Sequence, residues 1–256
     1  MNLMSGKTIV VANWKMKPSS FRDAKKLFDA TKKVAEKCPK ASLIVAPPSL
    51  YLRELASNYR GKRISFAVQN ARAEASGAFT GEISLAQAKD AGAAYALVGH
   101  SERRAMGETN EDTGKKVFAA LAQKIMPILC IGERERVSGG EHFSIVAEQL
   151  RAGLADVAPA KISKVIIAYE PVWAIGGETT MSPRDMHSMS IFIRKTIVGI
   201  YGDIGHSTKI LYGASVGEKN VLAMLREGNV RGFIVGHVST DPERFAALLK
   251  VIQNES

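Results

Sequence analysis

The chain reads as an α/β protein, a closed (β/α)8 barrel in a single domain over residues 1–256. Three observations predict this. Short β-branched runs alternate with longer stretches of helical period, and eight such pairs fill the sequence. The runs are apolar throughout rather than alternating, which is the pattern of parallel strands buried on both faces. The length, 256 residues, is usual for eight βα units closed into a barrel.

The units follow in order. TIVVANWK precedes FRDAKKLFDATKKVAEK, SLIVAPP precedes LYLRELASNY, ISFAVQN precedes SLAQAKDAG, and AYALVGH precedes TNEDTGKKVFAALAQK. In the second half MPILCIGE leads to EHFSIVAEQLRAGLADV, VIIAYEP to PRDMHSMSIFIRKTIVGIY, KILYGAS to EKNVLAMLREG, and GFIVGHV to PERFAALLKVIQ. Ser182 before Pro183 and Asp241 before Pro242 each read as an N-cap followed by proline at the first helical position. Gly92 and Gly228 follow apparent helix ends. No linker or low-complexity tract divides the chain. An open doubly wound sheet would also suit eight units, but no GxGxxG follows the first strand and no GxxxxGK[ST] occurs, so nucleotide sites have no support.

Composition narrows the function classes. With 46% hydrophobic residues and a formal charge of +10, the chain can bury a large core and remain well charged. The lysines and arginines are scattered along helix faces, as in DAKKLF, TKKVAEK and TGKKVF, and no nucleic-acid-binding motif appears. We expect no nucleic-acid partner. Cys38 and Cys130 are far apart and read as reduced structural thiols. His142, His187 and His206 read as surface residues whose spacing offers no metal site. The N-terminal stretch lacks the apolar length of a signal peptide, and no run approaches the roughly 18 apolar residues of a membrane span. The expectation is a soluble, cytoplasmic protein with no membrane partner.

In a barrel of parallel strands the chemistry gathers at the C-terminal strand ends. Asn13 and Lys15 end the first strand and, by strand alternation, share a face. His100 ends the fourth, followed by Ser101 and Glu102. Glu170 ends the sixth, Ser215 follows the seventh, and Gly236 and His237 follow the eighth. Glu170 is the odd one: the apolar run VIIAY ends on a lone carboxylate, crowded at once by proline, valine and tryptophan. A strand-end glutamate standing alone is ordinarily a solvated loop charge. Placed among apolar groups, opposite a histidine and a lysine, it suits proton abstraction beside a carbonyl. The imidazole and ammonium can hold the charge that develops on oxygen. Glycine amides and a serine after the last two strands suit a phosphate.

ANWKMK, GAFTGEIS, VGHSERR, CIGE, AYEPVWAIG, LYGASV and GFIVG, in this order from Val11 to Val238, resemble the successive signatures of the triosephosphate isomerase family. The resemblance implies a TIM barrel and an aldose–ketose isomerase that needs neither metal nor organic cofactor. It implies dihydroxyacetone phosphate and glyceraldehyde 3-phosphate as substrates. Glu170 becomes the base, His100 the electrophile, Lys15 and Asn13 the substrate-binding pair. Glu102 either organises Lys15 or forms a structural pair with a nearby arginine. Gly176 lies at the tip of a lid that opens with Pro171, Val172 and Trp173. Ser215, Gly236 and His237 complete a phosphate cradle. The segment QNARAEASGAFTGE, from Gln69 at one end to Glu82 at the other, implies a homodimer in which Thr80 reaches the neighbouring site.

Three departures stand out. Glu178 and Thr179 replace a glycine and a lysine in the second lid hinge, so closing rates are expected to change. His237 replaces the second of two glycines. Ala214 and Lys17 are smaller changes. The alternatives are an isomerase of another small sugar phosphate, such as a four-carbon ketose phosphate, a silent phosphate-binding barrel, or a charge-driven nucleic-acid binder.

Overall fold

Side-chain alternation along the eight apolar runs sorts them into two layers. Ile9, Val11, Ile44, Leu97, Ile128, Ile166, Leu211 and Ile234 pack together inside the barrel, while Val10, Ala12, Val45, Val98, Leu129 and Ile167 pack outward under the helices. Both layers are buried, which explains why the runs are apolar at every position. The computed structural model describes residues 6–137, 139–176 and 180–255.

The strands are β1 (Thr8–Asn13), β2 (Ala41–Ala46), β3 (Ile64–Val68), β4 (Tyr95–Val98), β5 (Met126–Ile131), β6 (Ile166–Tyr169), β7 (Lys209–Tyr212) and β8 (Gly232–Val235). They pair in parallel in sequence order, and β8 closes on β1, with Ile9 opposite Gly232 and Ala12 opposite Val235. The chain is therefore a single-domain (β/α)8 TIM barrel. The helices are α1 (Phe21–Lys37), α2 (Ser49–Ser57), α3 (Leu85–Asp90), α4 (Ser101–Ala105), α5 (Asn110–Ala122), α6 (Glu141–Leu154), α7 (Pro183–Tyr201), α8 (Val221–Glu227) and α9 (Pro242–Asn254). Helix α4 sits in the loop between β4 and α5 and escapes the sequence reading, because SERRA is only 5 residues long.

The caps follow side-chain chemistry. Ser182 accepts from the Asp185 N–H, and Asp241 accepts from the Glu243 and Arg244 N–H groups. Gly92 takes a left-handed φ of 98° after α3. Gly228 follows the end of α8 as expected and is its C-cap, right-handed at φ −79°, while Asn229 takes the left-handed turn at φ 55°. Asparagine tolerates that conformation well enough to take the place of glycine. His142 is a correction. It is buried, because it falls on the inward stripe of α6 with Val146 and Leu150, and its ring packs on Phe143 at 4.2 Å. Residue type alone hid that; the helical stripe shows it. His187 and His206 are exposed. No helix among the described residues is long and apolar enough to cross a membrane.

Candidate active site

Inward register delivers the carboxylate. Ile166 and Ala168 face the barrel interior, and two residues on, Glu170 continues that row at the mouth. Its side chain is 2% exposed. Space for it comes from β7: a Cβ on Gly213 would stand 2.9 Å from Glu170 Cγ. Glu170 Oε2 accepts from the Ser101 N–H at 2.9 Å. Oε1 has no hydrogen-bond partner and lies 3.5 Å from His100 Nε2. A buried carboxylate with one uncommitted oxygen is costly unless it has a task.

His100 is the N-cap of α4 and is buried. Its Nδ1 accepts from the Glu102 N–H at 3.3 Å, so the ring proton belongs on Nε2. Asn13 Nδ2 stands 3.3 Å from that same Nε2. The amide orientation is fixed by its other end, since Asn13 Oδ1 accepts from the Lys15 N–H at 3.0 Å. With this tautomer both nitrogens are donors, so they do not bond each other. Two donors side by side suit one oxygen set between them.

Lys15 reaches the site by a different route from the one strand alternation suggests. β1 ends at Asn13, and Lys15 itself is left-handed, with φ 54°. A non-glycine residue held there stores about 1–3 kcal/mol of strain. Two neighbours hold it. Asn13 takes its N–H, and Gln69 Nε2 donates to its carbonyl at 2.8 Å and to that of Ala46 at 2.8 Å. The ammonium then pairs with Glu102 Oε1 at 2.6 Å. Glu102 thus contacts Lys15 rather than an arginine.

The lid begins on a second buried carboxylate. Glu133 is fully buried and accepts from the Tyr169 hydroxyl at 2.8 Å and 2.9 Å and from Trp173 Nε1 at 2.9 Å, while its carbonyl accepts from the Val172 N–H at 2.9 Å. Burial, then the Glu133 charge, push the Tyr169 hydroxyl far up from its ordinary pKa. At the tip, the Gly176 N–H donates to Ser215 Oγ at 3.1 Å, and Ser215 donates to the Ala174 carbonyl at 2.8 Å. Gly177, Glu178 and Thr179 lie outside the described residues.

A cleft of about 690 Å³ joins Asn13, Lys15, His100, Gly176, Ser215, Gly236 and His237. Most of the sequence-predicted site residues therefore meet at one mouth; Glu170 does not line this cleft, and reaches it only through His100, whose Nε2 is 3.5 Å from Oε1. A larger cleft of about 820 Å³ opens on the far side of Glu170, against Arg104, Gln149 and Val172. The smaller one is lined by the lysine, the histidine and Gly176. Gln69 and Glu133 are the supporting residues missed in the sequence. Both are polar residues directly after apolar strands, the signal that found Glu170.

The family model for triosephosphate isomerase matches residues 8–252. The chain belongs to the triosephosphate isomerase family. It is similar to the triosephosphate isomerase of Endomicrobium trichonymphae, 39% identical over 95% of this chain and 98% of the relative. The triosephosphate isomerase of Roseiflexus sp. (strain RS-1) is 37% identical over 94% and 96%. That of Symbiobacterium thermophilum is 38% identical over 94% of both chains.

Proposed function

We propose that the protein interconverts dihydroxyacetone phosphate and D-glyceraldehyde 3-phosphate by proton transfer through an enediolate, the activity named by its relatives. The observation that carries this is the Glu170 carboxylate, 2% exposed, with Oε1 unpaired beside His100 Nε2. Glu170 takes a carbon-bound proton from one carbon and returns it to the next. A carboxylate stripped of water is a better base for this purpose.

His100 donates from Nε2 to the oxygen that gains charge, since its Nδ1 accepts from the Glu102 N–H. Asn13 Nδ2 donates to the same oxygen. Lys15 neutralises the enediolate, and Glu102 is the positioning partner that holds its ammonium while the site is free. The Gly176 N–H moves from Ser215 to the phosphate as the lid closes, and Ser215 with the amides of Gly236 and His237 completes the cradle. The reaction needs no metal or organic cofactor, since base, electrophile and counter-charge are all side chains.

The working form is a homodimer in the cytoplasm. Met16, Leu50, Phe79 and Met106 are exposed apolar side chains, at 95%, 89%, 37% and 75%. Met16, Phe79 and Met106 sit in the connections that follow β1, β3 and β4, and Leu50 in the first turn of α2 after β2; the segment 69–82 lies on the same end. One assay tests the function. Turnover of glyceraldehyde 3-phosphate in a coupled assay is expected at well above that of a four-carbon ketose phosphate. Equal or better turnover of the four-carbon substrate would replace this reading with the related isomerase.

A further inference from the structure

Ten of the 35 lysines and arginines stand at one end of the barrel, away from the cleft. Every strand except β4 begins within two residues of a lysine or arginine: Lys7, Lys40, Arg63, Lys124, Lys164, Lys209 and Arg231. Because the barrel is all-parallel, these positions share one face, the end opposite the mouth. At the mouth only β1 is followed as closely by a cation, Lys15, and that is paired with Glu102. Arg60, Lys62 and Lys161 add to the basal group, and Asp90, Asp156, Asp203, Glu227 and Glu255 are acids at the same end, Asp90 paired with Arg53 and Glu255 with Arg226.

Basic residues at this end could simply complement helix C-termini, whose carbonyls carry partial negative charge. That accounts for Lys37 in the last turn of α1. It does not account for the rest. Helices α2 and α5 have no basic residue in their last turn, and Arg60, Lys62, Arg63 and Lys124 follow later, in the connecting loops, while Lys161 and Lys164 stand in the last turn of a short 3-10 helix, Pro159–Lys164. Lys7, Arg60, Lys62, Arg63, Lys161 and Lys164 are exposed and make no ion pair among the described residues.

We infer that the strand-N-terminal face of the barrel docks on a membrane surface rich in anionic phospholipid. Three features favour lipid over nucleic acid. The cations ring a whole face of the barrel rather than lining a groove. Ile200 and Ile204, 42% and 43% exposed, stand on the same end, where α7 runs into β7. Aliphatic side chains among lysines suit an acyl–headgroup boundary. Nucleic acid would favour exposed rings for base stacking. Here Tyr59, Tyr95 and Tyr201 are half-buried, and the hydroxyls of Tyr59 and Tyr201 are already bonded to backbone. Docking by this face leaves the catalytic mouth open to solution, so the bound protein keeps its turnover.

The test is co-sedimentation of the full chain with phosphatidylcholine vesicles, with and without about 30% phosphatidylserine, at about 50 mM and about 500 mM salt. The expected result is phosphatidylserine-dependent binding at low salt that weakens at least about tenfold at high salt. A basal triple variant, Arg60→Glu with Lys62→Glu and Arg63→Glu, should bind at least about tenfold more weakly, as should Lys161→Glu with Lys164→Glu. A control triple on the first turns of α1, Arg22→Glu with Lys25→Glu and Lys26→Glu, changes the net charge equally and should bind nearly as wild type. Circular dichroism melts confirm that each variant folds. Equal loss in the control and basal triples would overturn the inference in favour of net charge alone. Absence of wild-type binding to phosphatidylserine vesicles overturns it outright. Tighter binding of single-stranded RNA than of vesicles at the same salt overturns the choice of partner.

Discussion

The two ends of the barrel are made by the same eight strands and differ in what the polar groups there are bonded to. At the mouth, Asn13, Lys15, His100, Glu102, Glu133 and Ser215 are tied to one another or to backbone. Left over are the donors Asn13 Nδ2 and His100 Nε2 and, facing them, the acceptor Glu170 Oε1. At the base Lys7, Arg60, Lys62, Arg63, Lys161 and Lys164 are exposed and make no ion pair among the described residues. Fixed, nearly satisfied groups make a reaction site, because they need no reorganisation when charge develops. Exposed charges on long side chains make a docking face, because they can follow a diffuse partner. The net charge of a chain therefore says little about its active site.

The largest effect should come from moving the unpaired acceptor. Glu170→Asp withdraws the carboxylate by about one methylene. Turnover of glyceraldehyde 3-phosphate is expected to fall at least about 100-fold, or about 2.7 kcal/mol in the barrier, with an unchanged melting temperature. Near wild-type turnover would remove Glu170 from the base role.

Gly213→Ala should come next. The new Cβ meets Glu170 Cγ at 2.9 Å, so the base is displaced without being changed. We expect a kcat about tenfold lower and little change in KM, because the phosphate cradle is untouched. A rise in KM alone would mean that the carboxylate tolerates the shift.

Trp173→Phe removes the hydrogen bond to Glu133 and leaves the two from Tyr169. A few-fold change in kcat is expected, seen in stopped-flow as a changed lid-closing rate. The basal triple variant should change kcat/KM by less than about twofold, since its charges lie more than a Debye length from the mouth. A tenfold loss there would mean that the base steers substrate after all.

The smallest effect concerns Tyr212. It is fully buried, and desolvation pushes its hydroxyl up to about 12, partly offset by the Met181 amide, which faces it outside ordinary hydrogen-bond geometry. The folded state therefore favours the protonated form. This contribution is complete below pH 10 and is lost as pH rises towards 12. Tyr212→Phe lacks it. Urea midpoints at pH 9 and pH 11 should show the stability gap between wild type and variant narrowing by about 1 kcal/mol. A constant gap would contradict the burial argument.

Much of this was legible in the sequence because strand burial leaves a plain signature. Runs such as VIIAY are apolar at every position only when both faces are covered, so eight of them imply a closed barrel. A polar residue ending such a run is conspicuous, which exposes Glu170, Asn13 and His100. What stayed hidden depends on backbone geometry or on residues far apart in the chain. Lys15 enters by a left-handed turn held by Gln69, 54 residues away. Glu133 is identifiable as a lid anchor only once Tyr169 and Trp173 are seen to converge on it. The basal cations belong to seven different loops and strand starts, and only the parallel topology gathers them.

Proton exchange in deuterated water tests the central claim most directly. The wild type and Glu170→Gln, which keeps the shape of the side chain and removes its charge, would be incubated with dihydroxyacetone phosphate and followed by NMR. Solvent deuterium should enter the substrate carbon with the wild type and fall to background with Glu170→Gln. Exchange at the wild-type rate in a folded Glu170→Gln protein would contradict the account.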